Sequence, residues 1–329
     1  MQESIIKLKE IIWEITGRCE NKCSFCGSKE HWEEKIDENK IINIAERIVE
    51  HKGMIPKEIN ISGGDPLLVS EECHKKITEI LKKAGIICKI IINPKSIKNQ
   101  PILRFQSALT SSDKIIKYYD RIGMSINSSK EVSEYGDLII NDKTTVITNF
   151  NLKNIFDFDD IANLIKKKKN VPWMIQFTIY KNKSDLALYE NENKKALDYL
   201  SEKVSELISE INIIISDNAN PGMCTAGTKS LGILSNGDVV PCLSMRCWSK
   251  KMNQQGNLLD KSLKDIWEED FKDYRYKDFE CCKDACKNKQ ILKKQDIKEG
   301  SSFIPHVVPS EDSNQLFVYG VFNVNTWDD

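Results

Sequence analysis

Short apolar stretches alternate with amphipathic ones along most of the chain, and this alternation restricts the fold more than any other feature. Ile11–Ile15 and Glu58–Ile61 have the length and composition of buried strands. Between them, Asp37–Gly53 carries apolar residues at helical spacing, with Asp37 as the N-cap. The alternation continues to Ser216 and predicts six βα units with parallel strands. We therefore expect an α/β fold, a partial (β/α)6 TIM-like barrel over residues 1–217. The other predicted elements are helices at 70–85, 113–121, 157–169 and 185–210, strands at 86–92, 122–127, 144–148, 171–180 and 211–216, and an irregular stretch at 93–112.

Three cysteines directly after the first strand are the strongest chemical signal. Cys19, Cys23 and Cys26 lie within eight residues, after the turn Thr16–Arg18. Thiols at this spacing can converge on one metal centre, and a 4Fe–4S cluster bound by three of them keeps one iron without a protein ligand. That iron could bind a substrate or a cofactor. A tetrahedral zinc site that adds His31 is the structural alternative.

A glycine loop follows the second strand. In Ser62–Pro66, the adjacent Gly63 and Gly64 let the backbone approach a ligand closely, and Asp65 adds a carboxylate. Because active sites of parallel sheets lie at the carboxyl ends of the strands, we expect this loop and the cysteine loop on one rim. The alternative is an ordinary tight turn that caps the next helix.

The spacing of the cysteines resembles the CxxxCxφC signature of the radical S-adenosylmethionine (SAM) enzymes, with Phe25 before the third cysteine. The resemblance implies that Cys19, Cys23 and Cys26 hold a 4Fe–4S cluster whose open iron is chelated by SAM, with Phe25 among the cofactor-binding residues. It also implies reductive cleavage of SAM to a 5′-deoxyadenosyl radical, which takes a hydrogen atom from the substrate. A reducing partner such as flavodoxin or ferredoxin is implied as well.

The same resemblance assigns the glycine loop to SAM. Ser62–Pro66 resembles the GGE motif of the family, with Asp65 in place of the usual glutamate. The resemblance implies that the carbonyl groups of Gly63 and Gly64 and the Asp65 carboxylate accept hydrogen bonds from the SAM ammonium group.

Polar residues on two later strands complete the predicted SAM site. Ser125 and Asn127 alternate with apolar residues, so their side chains share one face of a strand. They resemble the ribose-binding positions on the fourth strand of the family. Gln176 is a similar inward polar residue on the sixth strand. Hydrogen bonding within the protein is the alternative for these side chains.

Six of the eleven cysteines lie beyond a change of composition at Asn218–Gly222. There, Leu231–Val240 is predicted to form a hairpin with Asn236-Gly237 as a type I′ turn, which brings Cys224 and Cys242 close together. In contrast, Cys73 and Cys88 stand alone in a helix and a strand. We expect them to be buried apolar residues rather than ligands.

The order of these C-terminal cysteines resembles the SPASM and twitch domains, which hold auxiliary 4Fe–4S clusters. The resemblance implies at least one such cluster in residues 218–300. The expected ligands are Cys224, Cys242, Cys282 and Cys286, with Cys281 as the competitor for the third place. Cys247 is spare or belongs to a second, incompletely ligated cluster, and a structural zinc site is the alternative. Residues 301–329 are predicted to pack on the barrel as strands.

Charge and composition limit the partners and the location. The net charge of −1 gives no electrostatic reason to expect nucleic acid or an anionic membrane as partner. The chain begins MQESIIKLKE, without an apolar signal-peptide core, and has no run of about 18 apolar residues. A cytoplasmic location is therefore expected, and in that compartment clustered cysteines bind metal more often than they form disulfides. An exposed low-potential cluster also favours anaerobic conditions.

Many relatives with such C-terminal extensions modify ribosomally synthesised peptides. We therefore expect a radical SAM oxidoreductase that oxidises or crosslinks a precursor peptide, with the auxiliary cluster as acceptor of the second electron. One alternative is a dehydrogenase or rearrangement enzyme acting on a small molecule such as a sugar or cofactor precursor. The other is a non-catalytic iron–sulfur protein.

Overall fold

The structure is a computed structural model, and its residues fall into two compact units. The first unit comprises Met1–Gly123 and Thr225–Lys277, and the second comprises Met124–Cys224 and Asp278–Asp329. The structure describes residues 7–21, 23, 26, 31–98, 115–139, 143–150, 154–168, 170–177, 179–180, 195, 198–200, 202–207, 209–215, 227, 229–241, 243, 256–271, 304–309 and 315–321.

In the first unit, parallel strands alternate with helices. Its elements are β1 (Glu10–Glu14), α1 (Glu38–Val49), β2 (Glu58–Ser62), α2 (Glu71–Lys83), β3 (Ile87–Ile92), α3 (Pro94–Lys98), β9 (Ser230–Ile233), β10 (Asp238–Val240), β11 (Gly256–Asn257) and α6 (Leu263–Asp265), which continues as a π-helix over Ile266–Asp270. The strand order is β11-β10-β9-β1-β2-β3. Strand β1 pairs in parallel with both β2 and β9, so the later hairpin extends the sheet beside the first strand.

Local sequence accounts for the first helices. The Asp37 side chain accepts the Lys40 N–H and caps α1, and Ser70 does the same for Cys73 at the start of α2. Both caps begin helices whose apolar residues are buried, and each buried aliphatic side chain contributes about 1.5–3 kcal/mol.

The second unit has the same alternation. The boundary between the units falls within β4 (Arg121–Ser125). The elements that follow are α4 (Ser129–Tyr135), β5 (Thr144–Phe150), α5 (Phe158–Lys167), β6 (Trp173–Phe177), β7 (Ile179–Tyr180), β8 (Ile213–Ile215), β12 (Ile304–Pro309) and β13 (Gln315–Val321). Strands β5, β6 and β8 are parallel, and the rings of Phe150, Phe158 and Trp173 pack together in the core. Strand β13 pairs with β12 and with β7 in a separate antiparallel sheet.

The predicted α/β class with mostly parallel strands is confirmed, and two local predictions are wrong. Pro94–Lys98, predicted as irregular, is a short helix. The C-terminal hairpin forms, but not with a type I′ turn, which needs positive φ at both central residues. Only Gly237 has positive φ there (+90°), and the Leu234 N–H bonds to the Asp238 carbonyl across a three-residue loop. The predicted domain bounds at 217 and 300 stay predictions. Among the helices in the described part of the chain, none has the length and apolar character needed to cross a membrane.

Candidate cofactor site

The cysteine loop leaves the carboxyl end of β1 and is held by its own backbone. Cys19 is buried, and its N–H donates to the Trp32 carbonyl over 3.2 Å. The Cys26 N–H donates to the Cys23 carbonyl over 3.1 Å. The Asn21 N–H lies 3.4 Å from the Cys19 sulfur, and N–H donors of this kind favour the thiolate form that binds metal. Predicted Phe25 lies outside the described residues.

The turn before the first cysteine is locked to the glycine loop by main-chain hydrogen bonds. The Gly64 N–H donates to the Thr16 carbonyl over 2.7 Å, and the Asp65 N–H donates to the Arg18 carbonyl over 2.8 Å. A Cβ atom at Gly63, where φ is +153°, would lie 2.5 Å from the Thr16 carbonyl oxygen. A Cβ at Gly64 would run into the carbonyl oxygens of Gly17 and Arg18. The two loops therefore share one rim as predicted, and the glycines are needed for the contact between the loops themselves.

Asp65 is buried, with only 3% of its surface exposed. Its carboxylate accepts the Leu67 N–H over 3.1 Å and caps the short 3-10 helix Pro66–Leu68. Burial raises the pKa of Asp65, and nearby Glu20 adds to this, against the hydrogen bonds from Ser96 and Leu67. The capping role considered for this loop is thus present, and the predicted SAM contact stays a prediction. A buried carboxylate of this kind gains most from a cation placed beside it.

Residues after β3, which were not predicted from the sequence, join the same rim. Asn21 donates its side-chain N–H to the Ser96 hydroxyl over 2.8 Å, and Ser96 hydrogen-bonds Asp65. The Asn93 amide nitrogen lies 3.9 Å from the Cys23 sulfur. The rule that placed the first two loops on the rim applies equally to β3, so the position of Asn93 directly after that strand was the available signal.

Two buried hydrogen bonds of His74 fix the segment that follows the glycine loop. His74 and Tyr119 are almost fully buried, and the Tyr119 hydroxyl lies 2.5 Å from the His74 Nδ1. The His74 Nε2 lies 2.9 Å from the Pro66 carbonyl oxygen. Burial lowers the pKa of His74 to about 4, so the ring is neutral. A neutral ring that donates to Pro66 through Nε2 accepts the Tyr119 hydroxyl at Nδ1.

His31, the fourth residue of the zinc alternative, contacts Glu34 instead. Its Nδ1 lies 2.6 Å from the Glu34 Oε1. Within the described ranges, no three cysteine, histidine or acidic side chains lie together as ligands of a single metal ion. In a 4Fe–4S cluster the thiolates bind different irons, so this finding does not bear on the cluster prediction.

In the second unit, the predicted ribose-binding residue Asn127 is engaged internally. Its backbone N–H donates to Glu131 over 2.6 Å, and its side-chain Oδ1 accepts the Asn149 N–H over 2.8 Å. Asn154 donates to the Asn127 carbonyl over 2.7 Å. Ser125 and Gln176 lie half-buried on β4 and β6. The ribose role of Ser125 and Asn127, and the role of Gln176, stay predictions.

The remaining cysteines divide into two groups. Cys73 and Cys88 are buried, as predicted, and burial raises the pKa of each thiol to about 12. The predicted auxiliary ligands lie outside the described residues: Cys224, Cys242, Cys281, Cys282 and Cys286, together with Cys247.

The donor chemistry at the rim fits the cofactors implied by the sequence. Three cysteines, the usual ligands of an iron–sulfur cluster, share a short loop, and N–H groups lie close to the sulfurs of Cys19 and Cys23. A buried carboxylate, Asp65, lies on the adjoining loop and suits an ammonium group. The residues present therefore match a cluster and SAM.

Comparisons with known proteins point the same way. A family model described as the radical SAM superfamily matches residues 13–149, which include the cysteine and glycine loops. A second model, SPASM, described as an iron–sulfur cluster-binding domain, matches residues 224–287, which include all six C-terminal cysteines. No curated protein matches the chain.

Solved structures with the same fold are distant in sequence. SuiB from Streptococcus suis is 14% identical, with a TM-score of 0.55 over 82% of this chain and 68% of its own. SuiB bound to the precursor peptide SuiA gives the same identity and TM-score, over 84% and 69%. A histidine-tagged anSMEcpe with bound AdoMet is 16% identical, with a TM-score of 0.57 over 84% and 86%.

Proposed function

This chain belongs to the radical SAM superfamily and carries a C-terminal SPASM domain, and from that premise we propose that it oxidises or crosslinks a ribosomally synthesised peptide. The observation that carries the proposal is the pairing of the two matched domains in one chain. The first domain includes the locked cysteine and glycine loops, and the second includes a separate group of cysteines.

The cofactors are a SAM-binding 4Fe–4S cluster, SAM and at least one auxiliary 4Fe–4S cluster. When bound, the first cluster supplies the electron that cleaves SAM, and SAM supplies the 5′-deoxyadenosyl radical that takes hydrogen from the substrate. We assign Cys19, Cys23 and Cys26 to the first cluster. Cys224, Cys242 and Cys286, with Cys282 or Cys281, are assigned to an auxiliary cluster.

The residues of this chain bind and orient SAM. The Asp65 carboxylate accepts from the SAM ammonium group, and the Gly63 and Gly64 carbonyls complete that site. Ser96 and the Leu67 N–H donate hydrogen bonds to this carboxylate and fix its orientation, which supports the proposal. Ser125 and Asn127 are assigned to the ribose, with Gln176 as a further polar contact.

A peptide is the proposed substrate class. SuiB is known bound to its precursor peptide, and anSMEcpe is known with AdoMet and a peptide, Cp18Cys. Both share the fold of this chain, which supports a peptide substrate by analogy. The C-terminal cysteines would hold an auxiliary cluster, which when bound would supply an acceptor for the second electron, so net oxidation or crosslinking is the expected outcome. A reduced flavodoxin or ferredoxin would supply the first electron.

The test uses anaerobically reconstituted full-length protein with SAM, dithionite and the peptides encoded by short reading frames beside the gene. We expect 5′-deoxyadenosine together with a peptide that has lost hydrogen, both read by mass spectrometry. The Cys19/Cys23/Cys26→Ala variant is the control and should form neither product. Formation of 5′-deoxyadenosine with every peptide unchanged would contradict the peptide substrate and favour a small molecule. No 5′-deoxyadenosine from fully loaded protein would contradict SAM cleavage itself.

A further inference from the structure

Glu34 connects three parts of the first unit through one carboxylate. Its Oε2 accepts the Gly17 N–H over 3.2 Å and the Ser235 hydroxyl over 2.7 Å. Its Oε1 lies 2.6 Å from the Nδ1 of His31. About one third of the Glu34 side chain is exposed (33%), so the carboxylate is partly shielded from water. The two contacts on Oε2 join residues more than 200 positions apart in the chain.

The contact with Gly17 acts on the turn that delivers the first cysteine. A Cβ atom at Gly17 would lie 2.5 Å from the His31 Cβ and 2.6 Å from the Glu34 Oε2. Any side chain at Gly17 would therefore displace the carboxylate. Gly17 is two residues before Cys19, and its carbonyl oxygen borders Gly64. Glu34 thus restrains the backbone that leads to Cys19.

The contact with Ser235 depends on the observed turn of the hairpin. In a two-residue type I′ turn, Ser235 would be the last residue of the strand. In the observed three-residue loop, closed by the Gly237 N–H and the Leu234 carbonyl, Ser235 is the first loop residue. Strand β9 pairs in parallel with β1, so the hairpin runs beside the strand that leads to the cysteine loop. The contact therefore joins the radical SAM match to the SPASM match.

We propose that Glu34 is a positioning residue that fixes the turn before Cys19 to the SPASM hairpin, so that the N-terminal cluster keeps its ligand geometry only while this contact is intact. The proposal rests on the proposed function in one respect, the assignment of a cluster to Cys19, Cys23 and Cys26. It extends that function by making the SPASM segment a support of the first cluster as well as the carrier of an auxiliary one.

The geometry predicts which substitutions preserve the contact. Gly17 and Ser235 both donate to the same oxygen, so one carbonyl oxygen at position 34 is sufficient for both. In Glu34→Gln, that oxygen is kept and the new amide group can donate to the His31 Nδ1. In Glu34→Ala all three contacts are lost. Ser235→Ala removes only the link to the hairpin. The exposed neighbour Glu33 provides the matched control, Glu33→Ala.

The experiment measures the N-terminal cluster directly, without SAM. Reconstituted full-length variants are reduced with dithionite, and the electron paramagnetic resonance signal that disappears in Cys19/Cys23/Cys26→Ala is followed during treatment with an iron chelator. We expect the signal of Glu34→Ala to have altered g-values. We also expect it to be lost about 10-fold faster than in the wild type, because loss of a residue that orients a metal ligand usually has effects of this size. Ser235→Ala should show the same change in g-values, and the double variant should be no worse than Glu34→Ala. Glu34→Gln and Glu33→Ala should match the wild type.

A general loss of stability would lower the melting temperature but leave the g-values of the loaded cluster unchanged. Spectra and loss rates of Glu34→Ala and Ser235→Ala equal to those of Glu33→Ala would overturn the proposal. If Glu34→Ala does not fold, the comparison of Ser235→Ala with Glu33→Ala decides in the same way. A wild-type protein without the assigned signal would overturn the cluster assignment, whereas a normal signal without 5′-deoxyadenosine would count against the proposed function alone.

Discussion

The ends of β1 and β2 in the first unit and the ends of β4 and β5 in the second are closed by different means. In the first unit, the main-chain groups of Thr16 and Arg18 bond directly to Gly64 and Asp65. In the second, the amide side chain of Asn127 and its neighbours fill that role. Closure by main chain makes glycine indispensable and leaves the nearby side chains for chemistry. Closure by side chains makes the polar residues themselves part of the structure.

The largest effect that tests this contrast is expected at Gly64. In Gly64→Ala, the Cβ collides with the carbonyl oxygens of Gly17 and Arg18, and overpacking of this kind costs about 3 kcal/mol. We expect lower stability in urea and loss of iron from the N-terminal site. Gly53→Ala is the matched control, because no heavy atom lies within 4 Å of a Cβ there. Equal iron content and stability in the two variants would show that the main-chain contact between the two loops does not support the N-terminal site.

Side chains also contribute in the first unit, and the contribution of His74, which hydrogen-bonds Tyr119 and Pro66, depends on pH. Burial lowers its pKa from 6.5 to about 4, so protonation favours the unfolded chain. Its contribution is present above about pH 6.5 and is lost as the pH falls through the folded pKa. Between about pH 7 and pH 5, this lowers the free energy of unfolding by about 2 kcal/mol. His74→Gln keeps a donor for Pro66 without titrating, so its unfolding free energy should fall less over this range. If the unfolding free energies of the wild type and His74→Gln depend on pH in the same way, His74 is not held as a buried neutral ring.

Asn127 tests the side-chain lock of the second unit. In Asn127→Ala, the Asn149 N–H loses its acceptor, which costs about 1 kcal/mol. Asn127→Asp keeps an acceptor and should lose less, as measured by urea unfolding. If Asn127→Ala is as stable as the wild type but binds SAM more weakly, the residue serves the ribose alone and the contrast between the units fails.

The smallest effect on stability is expected at Asp65, with the opposite sign. Because burial raises its pKa, the ionised carboxylate lowers stability once the pH exceeds about 4. Asp65→Asn should therefore unfold at the same or slightly higher urea concentration at neutral pH. Its affinity for SAM, measured by equilibrium dialysis, should fall because the ammonium group loses a charged partner. If Asp65→Asn is less stable and binds SAM with unchanged affinity, both expectations, a carboxylate that costs stability and one that binds the SAM ammonium group, are wrong.

The sequence predicted the parts of this site that depend on local pattern. Helical periodicity and the Asp37 cap located α1, and the strand-end rule placed the cysteine and glycine loops on one rim. Contacts between distant segments could not be predicted from local sequence patterns. Nothing in the spacing of the residues shows that β9 adds to the sheet beside β1, or that Ser235 meets Glu34. The prediction of a type I′ turn is wrong because Asn236-Gly237 has the residues typical of that turn, but the backbone adopts positive φ only at Gly237.

Two separate iron–sulfur regions are proposed, one at the main-chain-locked loop and one in the SPASM segment. The direct test is the iron and sulfide content, with Mössbauer spectra, of anaerobically reconstituted wild type and Cys19/Cys23/Cys26→Ala. We predict about eight irons in the wild type and about four in the variant, since each 4Fe–4S cluster carries four. About four irons that fall to none would contradict the account, because the C-terminal cysteines would then hold no cluster.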